Sequence, residues 1–497
     1  MHIRRWESWA TQKQAIVVLA TPHFAKWLEN EGGFLPRLLR ASTYPVDLVQ
    51  VELDILVGVV DGIAPTPRGL RQIVGRKVLE GFSIIHGLSA HLLPDLWESE
   101  SKEAIKSTAQ QSSLSFSGSS ELSGNITLPL SNTLFTNGKH STLIASHWRG
   151  KNELFRKVKS EDKNHQTVRN IPEGGRHLPD MLIPAVPLTP PRQISSGLGN
   201  IIRQLDFGNE GIGPASRELE VVVNAYMESR GQEKLPIAVW ALVVPADLIN
   251  INLDVGEPFN LNDNDTQRLL KDPNNQYVGK WIAHGAKFCR VRKFTHITSG
   301  SFLSMICSHF LVSGGGGWGA KQGLLSLDPQ TIYRNDDVET EPRFDWMTHS
   351  PQEAEDQQAS ALGDIAKPGD YVQFFAANIQ KPREPAVFEP EEPADLPKSP
   401  DPDYWRRSLV FGTAPSTIDD LPSTPQKRCH EPVILQKGHF GAVSERGMYI
   451  NLPSRQERGG RDNPVVQSKI DLPYSFSYTD LKSATEETPL IRLHKAL

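Results

Sequence analysis

Gln14–Ala20, reading QAIVVLA, constrains this chain more than any other stretch, because a strand-length apolar run rich in β-branched residues leaves no face for water. Such a run fits a strand covered on both sides, as in an α/β layer. Thr21-Pro22-His23 breaks it, and Phe24–Leu39 follows with helix-like spacing at Leu28, Leu35, Leu38 and Leu39, interrupted by Gly32-Gly33. Leu48–Val60 is a second strand-forming stretch, closed by the turn dipeptide Asp61-Gly62. Arg68–Glu80 reads as a short helix or loop and Gly81–His86 as a further strand. Strands alternating with short helical stretches predict an α/β fold, with α+β as the variant.

The chain has 497 residues. Single cores stop growing at roughly 250–300 residues. Two β-rich lobes are therefore expected, Met1–Pro179 and Met181–Leu497, with disordered insertions. Glu98–Gly124 is rich in Ser without a sustained apolar period and reads as a flexible insertion in the first lobe. Pro382–Pro402 holds seven prolines among acidic residues and reads as a disordered or polyproline-type excursion in the second. Ile126–Phe135 and Ser141–Trp148 flank Asn137-Gly138, which predicts a hairpin because both residues tolerate positive φ. Lys151–His177 is charged and reads as exposed, and the prolines of Pro179–Pro191 mark an extended connection. Beyond it, Ala215–Ser229 has helical periodicity, and Leu235–Val244, Ala286–Thr295 and Tyr371–Ala377 read as strands. Thr266–Leu270 reads as a short helix, and Ser301–Val312 is compatible with strand or helix. Late strands at Ser408–Phe411, His439–Ile450 and Tyr474–Tyr478 are expected to return to the same β-rich body.

Composition excludes some classes. Hydrophobic residues at 38% and charged residues at 22% exclude a wholly disordered chain. Lys and Arg number 53 against 58 Asp and Glu, a net charge of −5, which argues against a dedicated nucleic-acid or membrane-surface binder. No window reaches the ~18 consecutive apolar residues of a spanning helix. Three cysteines, Cys289, Cys307 and Cys429, are too few for a disulfide scaffold and favour a reducing, cytoplasmic setting. The basic start Met1–Trp6 keeps a mitochondrial address as the alternative.

For chemistry, the most unusual composition is Gly314-Gly315-Gly316-Gly317-Trp318-Gly319, followed by Ala320 and Lys321. Glycines let the backbone approach a ligand closely and aim N–H groups at an anion. Gly314 and Gly319 have phosphate-loop spacing, but Ala320 precedes Lys321 and Gln322 follows, where a phosphate loop needs Gly-Lys-Ser/Thr. A tight structural turn carrying Trp318 is the bland reading; as a site, the loop with Lys321 is the candidate for ligand binding. Phe288, Arg290, Arg292 and Phe294 share one strand face, so Arg290, Arg292 and Phe294 form an alternative nucleic-acid surface, against the bland reading of a charged edge strand. His284, Cys289, Cys307 and His309 lack paired metal spacing, and Asn262–Asp265 lacks the Gly and distal Glu of a calcium loop. No metal or cofactor is expected. Ser195-Ser196-Gly197 and Ser299-Gly300-Ser301 miss the Gly-x-Ser-x-Gly pattern, and His23 and His86, near strand ends, have no readable nucleophile partner. No catalytic residue is assigned.

Three stretches, in order, carry a family resemblance. Ala15-Ile16-Val17-Val18-Leu19-Ala20-Thr21-Pro22 resembles the first strand and Ser/Thr-Pro turn of the FIST domain, a sensory and signal-transduction module. Val57-Gly58-Val59-Val60-Asp61-Gly62 is similar to its small-residue strand, and Gly199-Asn200-Ile201-Ile202-Arg203-Gln204-Leu205, with Pro214-Ala215 following, to its Gly-Asn-x-Ile-x-x-Leu stretch. The resemblance covers about a third of the chain. The Ser-rich, Pro-rich and Gly-rich segments lie outside it, and no F-box-like helical segment precedes Ala15. What it implies is a non-catalytic protein that binds a small-molecule ligand or a protein partner, with no site carried over. The rivals are an enzyme acting on a phosphorylated or acyl substrate at the Gly-rich loop, and a mitochondrial RNA-associated accessory protein.

Overall fold

β1 (Gln14–Ala20) and β2 (Val51–Val59) run parallel at the centre of a five-stranded sheet, Val17 beside Leu56. β3 (Phe82–Leu88) flanks β1 antiparallel, and β6 (Leu143–Lys151) then β7 (Leu154–Asp162) extend the sheet beyond β2. The computed structural model describes residues 13–29, 33–42, 51–67, 69–73, 78–98, 111–118, 124–151, 154–171, 180–229, 238–249, 277–293, 323–331, 333, 365–377, 407–415, 435–436, 438–453 and 465–481. Six of the seven residues of β1 are buried, as its unbroken apolar run requires. One face packs beneath α1 (Ala25–Glu29) and α2 (Phe34–Ser42) through Leu28, Leu35 and Leu39. The other face, with Val17, Leu19 and Leu56, enters a core shared with Leu114, Leu128, Phe411 and Phe440.

That core is assembled from both ends of the chain. β4 (Ser113–Gly118), β5 (Asn125–Pro129) and β8 (His165–Ile171) share a sheet with β20 (Met448–Pro453) and β21 (Val465–Ile470), in the order β21-β20-β5-β4-β8. β9 (Asp180–Leu182) joins β18 (Arg407–Thr413), β19 (His439–Ser444) and β22 (Phe476–Leu481) in another. Strand pairing therefore crosses the boundary expected at Pro179–Met181.

The middle of the chain forms a closed barrel of six antiparallel strands. Its circuit runs β17 (Tyr371–Ala377), β11 (Arg192–Leu198), β12 (Ile201–Asp206), β16 (Leu325–Leu327), β15 (Lys287–Lys293), β14 (Val239–Val244) and back to β17. Two short strands lie off this circuit, β10 (Ala185–Pro187) on β17 and β13 (Ile212–Pro214) on β12. Residues of all six strands meet inside, among them Ile194, Ile202, Leu242's neighbours Ala241 and Val243, Leu325 and Phe374, joined by Leu219 and Val223 of the helix Ser216–Ser229. Trp240, Leu242 and Phe375 point the other way into the shared core, which is why VWALVV on β14 is apolar without alternation. The fold is mixed α/β, rich in strand.

Four expectations are corrected or refined. Glu98–Gly124 contains β4, an ordered strand whose Leu114 and Phe116 are buried. Its Ser-Leu-Ser-Phe-Ser alternation is a period-two signal, and the serines are tolerated because they bond across strands, Ser115 Oγ to Thr127 Oγ1 at 2.6 Å. Asn137-Gly138 closes no hairpin. It ends the short helix Leu134–Asn137, with Gly138 at φ 83° donating its N–H to Leu134 O, and β5 and β6 lie in different sheets. Positive φ serves a helix C-terminus as well as a turn. His439–Ile450 is two strands split at Gly447, which sits at φ 91°. Lys151–His177 is not simply a charged exposed segment: it carries the sheet-edge strand β7 and also β8, whose Val168 is fully buried. The expected helix Thr266–Leu270, Asn262–Asp265, Ser301–Val312, Pro382–Pro402, residues 1–12, Cys307, His309 and Cys429 lie outside the described residues.

Candidate ligand site

Where α1 and α2 leave the sheet face partly uncovered, a cavity of about 250 Å³ opens between them and the strands β6 and β7. Its floor is apolar, formed by Leu28 and Leu35 of the helices, Val57 of β2, and Ile144 and Trp148 of β6. These are alternate residues of each strand, placed on one face by the two-residue period. Ser146, between Ile144 and Trp148 on that face, is 2% exposed and accepts a 2.8 Å hydrogen bond from Trp148 Nε1.

The mouth is polar. Lys139 Nζ reaches Asp162 Oδ1 at 2.9 Å and Glu29 Oε1 at 3.5 Å, tying β7 to α1. Asn137 donates to the same Glu29 oxygen at 3.2 Å and to Thr142 Oγ1 at 2.8 Å. Gly138, in the left-handed conformation, turns the chain so that Asn137 and Lys139 both reach this rim. Burial would lower the Lys139 ammonium, but Asp162 and Glu29 outweigh it and raise its pKa, so the lysine is a cation.

On the opposite face of the same sheet a second polar cluster surrounds Asp54. This carboxylate, 1% exposed within the apolar strand β2, accepts from Lys13 at 2.7 Å, Ser89 at 2.6 Å, Trp97 at 3.1 Å and His147 Nδ1 at 2.9 Å. Burial raises its pKa, while the hydrogen bonds from Lys13, Ser89 and His147 prevail and hold it below the ordinary Asp value. Gly87, Ala15, Asp54, His147 and Lys159 are neighbours across β3, β1, β2, β6 and β7. The register of β6 and β7 slips between His147 and Trp148, a local bulge. Trp97 meets the His147 ring edge-on at 6.4 Å, and Lys159 lies over Trp97 at 4.4 Å.

The sequence candidates fall elsewhere. Gly314, Gly315, Gly316, Gly317, Trp318, Gly319 and Lys321 lie outside the described residues, as does Phe294. Arg290 and Arg292 are described and engaged: Arg290 lies over Trp240 at 5.7 Å, and Arg292 pairs with buried Asp328 at 2.7 Å. Asp328 also meets Lys469 at 3.2 Å, and Asp471 accepts from Trp240 Nε1 at 2.7 Å, so this network joins the barrel to β21 and the turn after it. Cys289 is buried, its thiol pushed up to about 12 by desolvation. His284 Nδ1 bonds its own helix at Lys280 O, and His86 Nε2 contacts Gln14 Oε1 with its pKa lowered by burial. No group of three metal-ligating side chains occurs among the described residues, and no described helix is long and apolar enough to cross a membrane.

Sequence reasoning missed both polar centres. The available signals were a lone Asp in the apolar run VELDILVGV and the Asn-Gly-Lys that follows Leu134. Comparisons with models of known families, with curated proteins and with solved structures find no match.

Proposed function

We propose that this protein is a non-catalytic binding module that takes a small molecule into the cavity beneath α1 and α2. The observation that carries this reading is one concavity in which apolar residues of α1, α2, β2 and β6 meet a rim of convergent polar groups. The resemblance to FIST sensory modules supports the same class. Binding would be read as a rise in thermal midpoint of the purified chain across a metabolite panel. Val57→Phe, which fills the cavity from the sheet side, is expected to abolish that rise while the far-UV spectrum stays native. A panel with no response, together with a stable protein partner recovered by pull-down, would move the function to protein interaction.

A second reading, acid–base chemistry, is favoured by one observation on the other face. An ionised Asp54 can only accept, so His147 donates from Nδ1, which orients the ring and leaves Nε2, 4.0 Å from Glu52, as the nitrogen that would exchange a proton with a substrate. It predicts an esterase-type hydrolysis of activated esters that His147→Gln removes. Equal rates for the two proteins would retire it.

A further inference from the structure

We infer that the chain carries one three-stranded unit twice, β1-β2-β3 and β18-β19-β22, and that a threonine latch common to both copies fixes where the roof of the candidate cavity begins. The duplication rests on strand geometry alone; the role at the roof rests also on reading the cavity as a ligand site. In each unit the central strand comes first, a parallel neighbour follows, and an antiparallel strand returns on the other side. The registers agree. Leu19 lies between Gly58 and Ser83, and Phe411 lies between Ala442 and Ser477. One residue on, Ala20 lies between Val59 and Phe82, and Gly412 between Val443 and Phe476. The faces agree as well: Leu19 and Phe411 enter the shared core, while Val18 and Val410 turn away from it. The copies stand toward opposite ends of the chain with the barrel between them, so no short sequence period announces them.

The latch is the most specific point of agreement. Thr21, just past β1, donates its N–H to Gly81 O at 3.1 Å, and Gly81 donates its own N–H to Thr21 Oγ1 at 3.2 Å. Thr413, at the end of β18, donates its N–H to Ser475 O at 2.9 Å, and Ser475 N–H returns to Thr413 Oγ1 at 3.0 Å. Gly81 and Ser475 each directly precede the Phe-Ser pair that opens the antiparallel strand. Both threonines are 1% exposed. The second latch adds a bond from Thr413 Oγ1 to Leu472 O at 2.5 Å. In the first copy the chain leaves the latch straight into the roof: Phe24 N–H donates to Thr21 O at 2.9 Å, and the Phe24 ring rests on Phe82 at 4.7 Å. α1 follows and supplies Leu28 and Glu29 to the cavity. At its far end the roof is held by the Glu29–Lys139 pair, a part-exposed contact of 3.5 Å that contributes little. Thr21 is therefore a positioning residue for the cavity. In the second copy Ala414 enters a packed cluster with Ala64, Leu70 and Ile73, so the matching outer face is filled from the first half of the chain.

Amide hydrogen exchange on the full chain, resolved by residue, tests both parts. Thr21→Val removes one hydrogen bond and is expected to speed exchange at Gly81 and across α1 about tenfold, with Ser475 as slow as in the wild type. Thr413→Val is expected to do the converse, speeding Ser475 and leaving Gly81 and α1 slow. Thr21→Ser and Thr413→Ser keep the hydroxyl and should restore the wild-type rates. If only one valine variant releases its partner amide, the two latches are not the same device and the duplication is overturned. If Thr21→Val releases Gly81 while α1 keeps its wild-type rate, the positioning role is overturned. Should a valine variant fail to fold, the wild-type amides decide: both Gly81 and Ser475 are expected to exchange far more slowly than an unstructured peptide, and the peptide rate at either one would count against the repeat. None of these measurements uses a ligand, so their failure is distinct from failure of the metabolite panel that tests the cavity.

Discussion

Removing the Asp54 carboxylate would leave Lys13, Ser89, Trp97 and His147 with donors aimed at nothing. Breaking such a buried set by deleting one partner costs about 3 kcal/mol, so Asp54→Ala is expected to lower the urea unfolding free energy by about that amount. The pH dependence has a definite sign. The folded-state pKa of Asp54 lies below its unfolded value of 3.8. Its contribution is therefore complete above that value and is lost as pH falls through the lower, folded one. The stability gap between the wild type and Asp54→Asn should thus shrink on acidification below pH 3.8, measured as urea midpoints. Cys289 gives a second prediction at this scale. With its thiol buried and held protonated, iodoacetamide should leave Cys289 unmodified in the folded protein and label it in urea, as read by peptide mass spectrometry. Of these residues the sequence showed only that Asp54 interrupts an apolar strand. Its partners come from positions 13, 89, 97 and 147, and no local pattern joins them.

Among the elements, β4 separates what was legible from what was not. β1, β2, β14, β17 and the helix Ser216–Ser229 announce themselves by uninterrupted or periodic apolar residues. β4 hides behind serine, because the alternation of buried Leu114 and Phe116 is only two residues long within a Ser-rich stretch. Phe116 of this strand stacks on Phe411 of β18 with ring centres 4.0 Å apart. Phe116→Ala is expected to destabilise the protein by roughly 3–5 kcal/mol. A double-mutant cycle with Phe411→Ala should return a coupling of about 0.5–1.5 kcal/mol, and a coupling of zero would deny the contact. Gly138 poses the reverse problem, since its turn chemistry was legible but the element it ends was not. A Cβ there would meet open space, so Gly138→Ala carries only the left-handed backbone penalty of roughly 1 kcal/mol. A thermal shift many times larger would show that the Lys139 rim had also come apart.

For the whole molecule, strand-rich segments were readable but their partnership was not, because apolar periodicity says which face is buried and nothing about what buries it. Sheets built from both ends of the chain predict that residues 1–179, expressed alone, lack a dispersed amide spectrum. A well-dispersed spectrum from that fragment would show that the first lobe closes its core without β20. The same connectivity bears on how the protein is made. Between Pro129, the last residue of β5, and Met448, the first of β20, about 320 residues must leave the ribosome. At 5–20 residues per second that is on the order of half a minute during which β5 shows an open edge, the hazard that attracts chaperones and misplaced strands.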